Sequence, residues 1–317
     1  MKGAITDGTG FVEGHLARRF GTASSETRAQ GWIGWAPLVV LPLAAIVALR
    51  AVLIPWVCMW LLAAAIFAGC KWQTWWEARE ARRARNWRRS AAYLLLWPGM
   101  DAAEFFETVV EKRRVQPREW LEALLKALAG VALICVGTHV VPSSHPLSAG
   151  WTGMVGLVLF LHFGIFHLIA LAWQCAGIRA EPIMQRPLES ESLSKLWGKR
   201  WNLGFRKLSH TLVFRPLQRR FGTTAGTLGA FLASGLVHEL VISVPARAGY
   251  GLPTAYFLAQ GLGVIAERSE VGRRLGLGHG TRGRLWVALI AAGPVFCLFH
   301  PWFVMRVMLP FLHAISG

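Results

Sequence analysis

The chain has 317 residues, 54% of them hydrophobic and only 16% charged. A soluble domain carries about a quarter charged residues, so that class is excluded. The formal charge of +17 raises nucleic-acid binding, but the basic residues form no single stripe and no known nucleic-acid motif. They fall instead in loops between apolar runs near or above the ~20 residues that cross a bilayer, the positive-inside pattern of a polytopic membrane protein. The expected fold class is all-α, with about seven to eight transmembrane helices and interfacial amphipathic helices.

Residues 1–31 are rich in Gly, Thr and Ser and read as a flexible cytosolic N-terminus. No apolar h-region follows an early basic end, so no cleavable signal peptide is expected. The remainder, 32–317, reads as one membrane domain. From Trp32 to Cys70 only Arg50 interrupts the apolar run, which is too long for one span and is divided there into two. Lys71 to Arg89 is a charged return. Residues 90–119 hold a short apolar run, then Asp101, Glu104 and Glu107, and read as a helix lying in the interface.

Further spans are expected over Trp120–Val141, Trp151–Ile178, about Thr224–Val244 and about Leu252–Ala266. The last stretch, Leu285–Ile315, is long enough for one tilted span or two short ones broken near His300-Pro301. The basic loops 71–89, 179–223 and 268–284 alternate with the weakly charged links 142–150 and 245–251, so the basic loops are expected in the cytosol. Trp32, Trp35, Trp72, Trp120, Trp151 and Trp286 lie near span ends, where an amphipathic ring prefers to sit. The expected location is therefore an inner or cytoplasmic membrane, crossed several times.

Cys58, Cys70, Cys135, Cys175 and Cys297 show no CxxC or CxxH spacing, and read as small apolar residues rather than disulfides or zinc ligands. His162 and His167 are five apart and do not share a helical face as i,i+4 ligands would. The dense HxxxH and HxxHH clusters of a membrane desaturase are absent from the sequence. Core hydrogen bonding or cavity lining suits His139, His162, His167 and His300. Haem ligation by facing spans, or a permease with no chemistry, stays open on the residues alone.

Two polar features stand out. Read as one helix, Leu193–Leu208 puts Trp197, Trp201, Phe205 and Leu208 on one arc and Lys195, Lys199 and Arg206 outside it, with Asn202 at the border. His238 falls about 14 residues, roughly 20 Å, into the fifth span. It shares a face with Ser234 and Gly235. Glu239 beside it is costly in a membrane unless paired or wetted.

The runs Leu193-Ser194-Lys195-Leu196-Trp197-Gly198-Lys199-Arg200-Trp201-Asn202 and Ser234-Gly235-Leu236-Val237-His238-Glu239-Leu240 resemble the wax-synthase branch of the membrane-bound O-acyltransferase superfamily. The resemblance is strong over 182–268, with Leu196 standing where plant members usually carry Phe. It implies His238 as the catalytic histidine and Asn202 as the second signature residue. Trp197, Lys199, Arg200, Trp201, Ser234, Gly235 and Glu239 become candidate substrate-binding residues.

It further implies acyl-CoA as a co-substrate, a long-chain or lipophilic alcohol as acceptor, and no cofactor or metal. A sterol, diacylglycerol or polar hydroxyl is the alternative acceptor. The chemistry of the residues agrees with this assignment. A neutral histidine is suited to take the hydroxyl proton near neutral pH, Asn202 to bind a developing oxyanion, and the basic loop to attract CoA phosphates.

Overall fold

A computed structural model describes residues 26–48, 54–79, 87–107 and 113–317. Among them there are helices and no strands. Five helices are long and apolar enough to cross a membrane: Pro55–Glu77, Pro117–Val140, Pro146–Cys175, Leu203–Ala246 and Gly280–Leu298. The all-α, multi-helix architecture expected from hydropathy is the one observed.

The helix starts follow from the sequence. Pro55, Pro117 and Pro146 each stand in the first turn of their helices, where a missing N–H costs nothing. Where the first span was expected, a helix runs from Glu26 to Ala48 (α1), beginning six residues earlier than expected and apolar over Ile33–Ala48; residues 1–25 and 49–53 lie outside the described part. Its partner Pro55–Glu77 (α2) packs close enough that a Cβ on Gly69 would lie 2.6 Å from the Leu38 Cα. Pro117–Val140 and Pro146–Cys175 also meet backbone to backbone, with a Cβ on Gly130 falling 2.6 Å from the Gly156 carbonyl oxygen. Small residues at such contacts are how helices associate in lipid, where apolar burial gives little drive.

Two expectations are corrected near residue 71 and at 90–119. Lys71 does not open a charged loop; it continues α2 and is only 2% exposed. Its ammonium donates to the Gly99 carbonyl at 2.6 Å and lies 3.4 Å from the centre of the Tyr93 ring. The 90–119 segment does not form one surface helix either. It makes Trp87–Leu96 (α3) and Ala102–Phe106 (α4), and the Asp101 carboxylate caps the second by accepting from Glu104 N at 3.0 Å. Tyr93, Phe105 and Phe106 are fully buried in an aromatic cluster that includes Trp173. A buried aromatic face outweighs surface adsorption because each ring removes roughly 150–250 Å² from solvent or lipid.

Candidate active site

The first signature run forms a short helix over 193–200 (α5), α-helical over Leu193–Lys195 and π-helical over Leu196–Arg200. Side chains satisfy its first N–H groups, which have no partner within the helix. Ser192 Oγ accepts from Lys195 N at 3.0 Å. The Glu267 carboxylate accepts from Leu193 N at 2.7 Å and Ser194 N at 2.9 Å. Glu267 is 5% exposed, and its neighbour Arg268 donates to Ser194 Oγ.

The helix stops at Asn202, whose φ of 45° and ψ of 56° are left-handed. Asparagine is among the few residues besides glycine that enter this region readily. Gln185 N donating to Arg200 O and Leu203 N donating to Ile183 O fasten the bend on both sides. The continuous amphipathic helix expected over Leu193–Leu208 is therefore broken at Asn202, and a new helical arm starts at Leu203.

That arm belongs to Leu203–Ala246, which Gly222 divides. With φ 86° and ψ 173°, Gly222 occupies a region open essentially to glycine alone. The chain reverses there into two antiparallel arms, 203–221 (α6) and 223–246 (α7). A Cβ on Gly226 would lie 2.9 Å from the Phe214 carbonyl oxygen, and one on Gly229 would lie 2.1 Å from Leu217. Farther along the arms, Phe205 and Leu208 of the first and Leu240 and Val241 of the second share one hydrophobic cluster. The second arm matches the expected fifth span.

His238 is half-buried. Its Nδ1 lies 2.7 Å from the Ser234 carbonyl oxygen; a carbonyl only accepts, so Nδ1 carries the proton. Nε2 is left as an acceptor and has no hydrogen-bond partner among the described residues. The imidazole rests on the Phe257 ring, centroids 4.4 Å apart. Phe257 also packs against Trp197 at 5.9 Å, and Trp197 against Trp201 at 6.4 Å.

Leu252–Arg268 (α8) ties these pieces together. At its start, Glu239 Oε1 accepts from Gly251 N, Thr254 N and Thr254 Oγ1 at 2.9, 3.1 and 3.0 Å. One carboxylate so caps the helix N-terminus, where a negative charge is favourable. Next comes the contact with α7, where a Cβ on Gly235 would fall 2.8 Å from the Thr254 Cα. In the middle, fully buried Gln260 accepts from Trp197 Nε1 at 3.3 Å and donates to Ile290 O at 2.6 Å. At its end stands Glu267.

A cleft of about 360 Å³ opens beside the bend at Asn202. Leu203 and Gly204 line it, with Lys199, Arg206, Lys207 and Arg179 among its basic groups. Lys207 pairs with Asp101 at 2.6 Å, Arg179 pairs with Glu107 at 2.9 Å, and Arg206 donates to Gly198 O. Lys199 is exposed and makes no hydrogen bond or ion pair among the described residues. Glu104 also lines the cleft; burial, then Asp101 and Glu181, push its carboxyl above the usual range. His238 does not line this cleft.

The structure thus brings Trp197, Trp201 and His238 into one aromatic chain through Phe257. Gly235 serves close packing, and the Ser234 hydroxyl donates to Ala230 O within its own helix. Glu239 is a helix cap rather than a partner of His238. Arg200 points to the Arg186 carbonyl and Glu189, so it fastens the loop. His300, one of the other intramembrane histidines, is spent as a cap on Phe303 N. Sequence reasoning missed Thr254, Phe257, Gln260 and Glu267 as site-builders. The signal for two of them was present, since Gln260 and Glu267 are polar residues in an otherwise apolar segment.

Residues 180–259 match the model of the membrane bound O-acyl transferase family. The chain is 31% identical over 122 residues to the probable long-chain-alcohol O-fatty-acyltransferase 3 of Arabidopsis thaliana, covering 35% of this chain and 36% of that protein. It is 30% identical over 103 residues to the probable long-chain-alcohol O-fatty-acyltransferase 7 of the same plant, covering 29% and 30%. An acyl-CoA–sterol O-acyltransferase 1 from that plant is 31% identical over 86 residues, covering 23% and 25%. The matches span about a third or less of the length of these relatives.

Proposed function

We propose that the membrane bound O-acyl transferase segment at 180–259 moves a fatty acyl group from acyl-CoA to a long-chain alcohol, giving a wax-type ester and free CoA. The observation that carries this reading is His238: Nδ1–H is spent on the Ser234 carbonyl, which leaves Nε2, without a partner among the described residues, as the acceptor. A neutral imidazole held in that tautomer accepts the alcohol proton at Nε2 while the oxygen attacks the thioester carbon. The carbon–sulfur bond then breaks, and the imidazolium returns the proton to the CoA sulfur.

Asn202 is the second signature residue, and its amide is suited to the oxyanion of the tetrahedral intermediate. The basic cleft beside it supports docking of the CoA phosphates, with Lys199 as the lining cation that has no partner among the described residues. The aromatic chain from Trp201 to Phe257 supports an apolar path for acyl chains. The acceptor reaches the half-buried histidine laterally from the bilayer. The basic loops face the cytosol, where acyl-CoA is presented.

The test is ester formation by the purified chain from labelled acyl-CoA with a long-chain alcohol, and with a sterol in a parallel reaction. Wax-type ester supports the reading. Steryl ester alone moves the acceptor to the class named for one of the relatives, and no ester with any alcohol overturns it.

A further inference from the structure

We infer that Glu267 is a positioning residue for this acyl transfer, acting through α5 on Asn202. The inference rests on the acyltransferase reading and adds a residue that lies outside both signature runs. Glu267 is the last acidic group of α8, 5% exposed, and both its oxygens are committed to the backbone of α5, at 2.7 Å to Leu193 N and 2.9 Å to Ser194 N. Arg268 adds a bond to Ser194 Oγ at 2.9 Å.

Helix α8 is itself fixed against α7 by Glu239 and by the Gly235–Thr254 contact. The same rigid rod therefore carries the His238 arm at one end and the start of the Asn202 helix at the other. Between the two, Trp197 on α5 is bonded to Gln260 on α8. The position of Asn202 relative to His238 is thus set by two carboxylates, Glu239 and Glu267, gripping opposite ends of one helix. An exposed carboxylate on the same stretch, Glu270, only pairs with Arg274 and serves as a control.

Glu267→Gln keeps the size of the side chain but offers one acceptor where two N–H groups need one. Glu267→Asp keeps the charge but loses reach, and is the milder variant should the first fold poorly. The measurement is kcat divided by the number of sites that bind a non-hydrolysable acyl-CoA analogue. A purely structural defect lowers sites and turnover together and leaves this ratio at the parent value.

The expected result is a fall of roughly 10- to 100-fold per site in Glu267→Gln, the scale of an ångström misplacement. A smaller fall is expected in Glu267→Asp and none in Glu270→Gln. In an Asn202→Ala background, Glu267→Gln should have no further effect per site, because its route to the chemistry is gone. A parent-like ratio in Glu267→Gln, or a full additional loss on top of Asn202→Ala, overturns the inference while leaving the acyltransferase reading intact. A parent protein that makes no ester removes both.

Discussion

The His238 imidazole and the Phe257 ring lie 4.4 Å apart at an interplanar angle of 42°, while Nδ1 is anchored to the Ser234 carbonyl. Together these contacts fix the ring in place and in tautomer, and the only atom left for chemistry is Nε2. His238→Ala should lower kcat by about 10²–10⁴-fold, the usual contribution of a positioned acid–base group, with analogue binding retained. His162→Ala, placed on another helix, should keep far more activity. Near-parent esterification by His238→Ala would remove this residue from the mechanism.

Of the three cations Lys195, Lys199 and Arg200, two are already neutralised within the chain. Lys195 pairs with Glu191 and Arg200 with Glu189. Lys199→Gln should therefore raise the KM for acyl-CoA by about two- to fivefold, the range of a partly exposed ion pair, and the difference should shrink as salt is added. Lys195→Gln should leave KM near the parent value. Equal effects of the two substitutions would place the CoA phosphates elsewhere.

Gly222 allows the reversal that joins the two arms. A Cβ there meets nothing within 4 Å, so any cost of Gly222→Ala is conformational rather than steric crowding. At φ 86° and ψ 173° that cost should be about 1–3 kcal/mol. Thermal unfolding in detergent should show it as a lower midpoint, and Gly278→Ala, at a glycine with open space and an ordinary φ, should show little. Matching midpoints for both variants would mean that the turn tolerates a side chain.

Glu104 should make part of the stability depend on pH. Burial, Asp101 and Glu181 raise its folded pKa above the ordinary 4.5, so the folded state holds the proton more tightly than the unfolded chain. That preference favours folding below pH 4.5 and is lost as pH rises through the folded pKa. Glu104→Gln cannot ionise and should gain stability relative to the parent between pH 4 and pH 8. A parent–variant difference in unfolding midpoint that stays constant over that range would contradict the assignment.

The class of molecule was legible in the amino-acid sequence alone. Apolar runs and proline at helix starts are local or additive properties, and among the described residues the expected apolar stretches are helical, five of the helices being long and apolar enough to cross a membrane. The second signature run was legible because His238 and Glu239 sit where lipid makes polarity costly, and the first through its resemblance to a known family. Their spatial relation was not legible. It depends on a left-handed Asn202 that ends one helix and on a Gly222 conformation near the midpoint of the 203–246 segment, and periodicity cannot report either backbone event. The same holds for 90–119, where composition matched a surface helix but the ring contacts of Tyr93, Phe105 and Phe106 carried the segment inward. The partners of Glu239 and Glu267 are mostly backbone N–H groups, which nearly every residue carries alike. Only the tertiary structure could decide which helix end each carboxylate would hold.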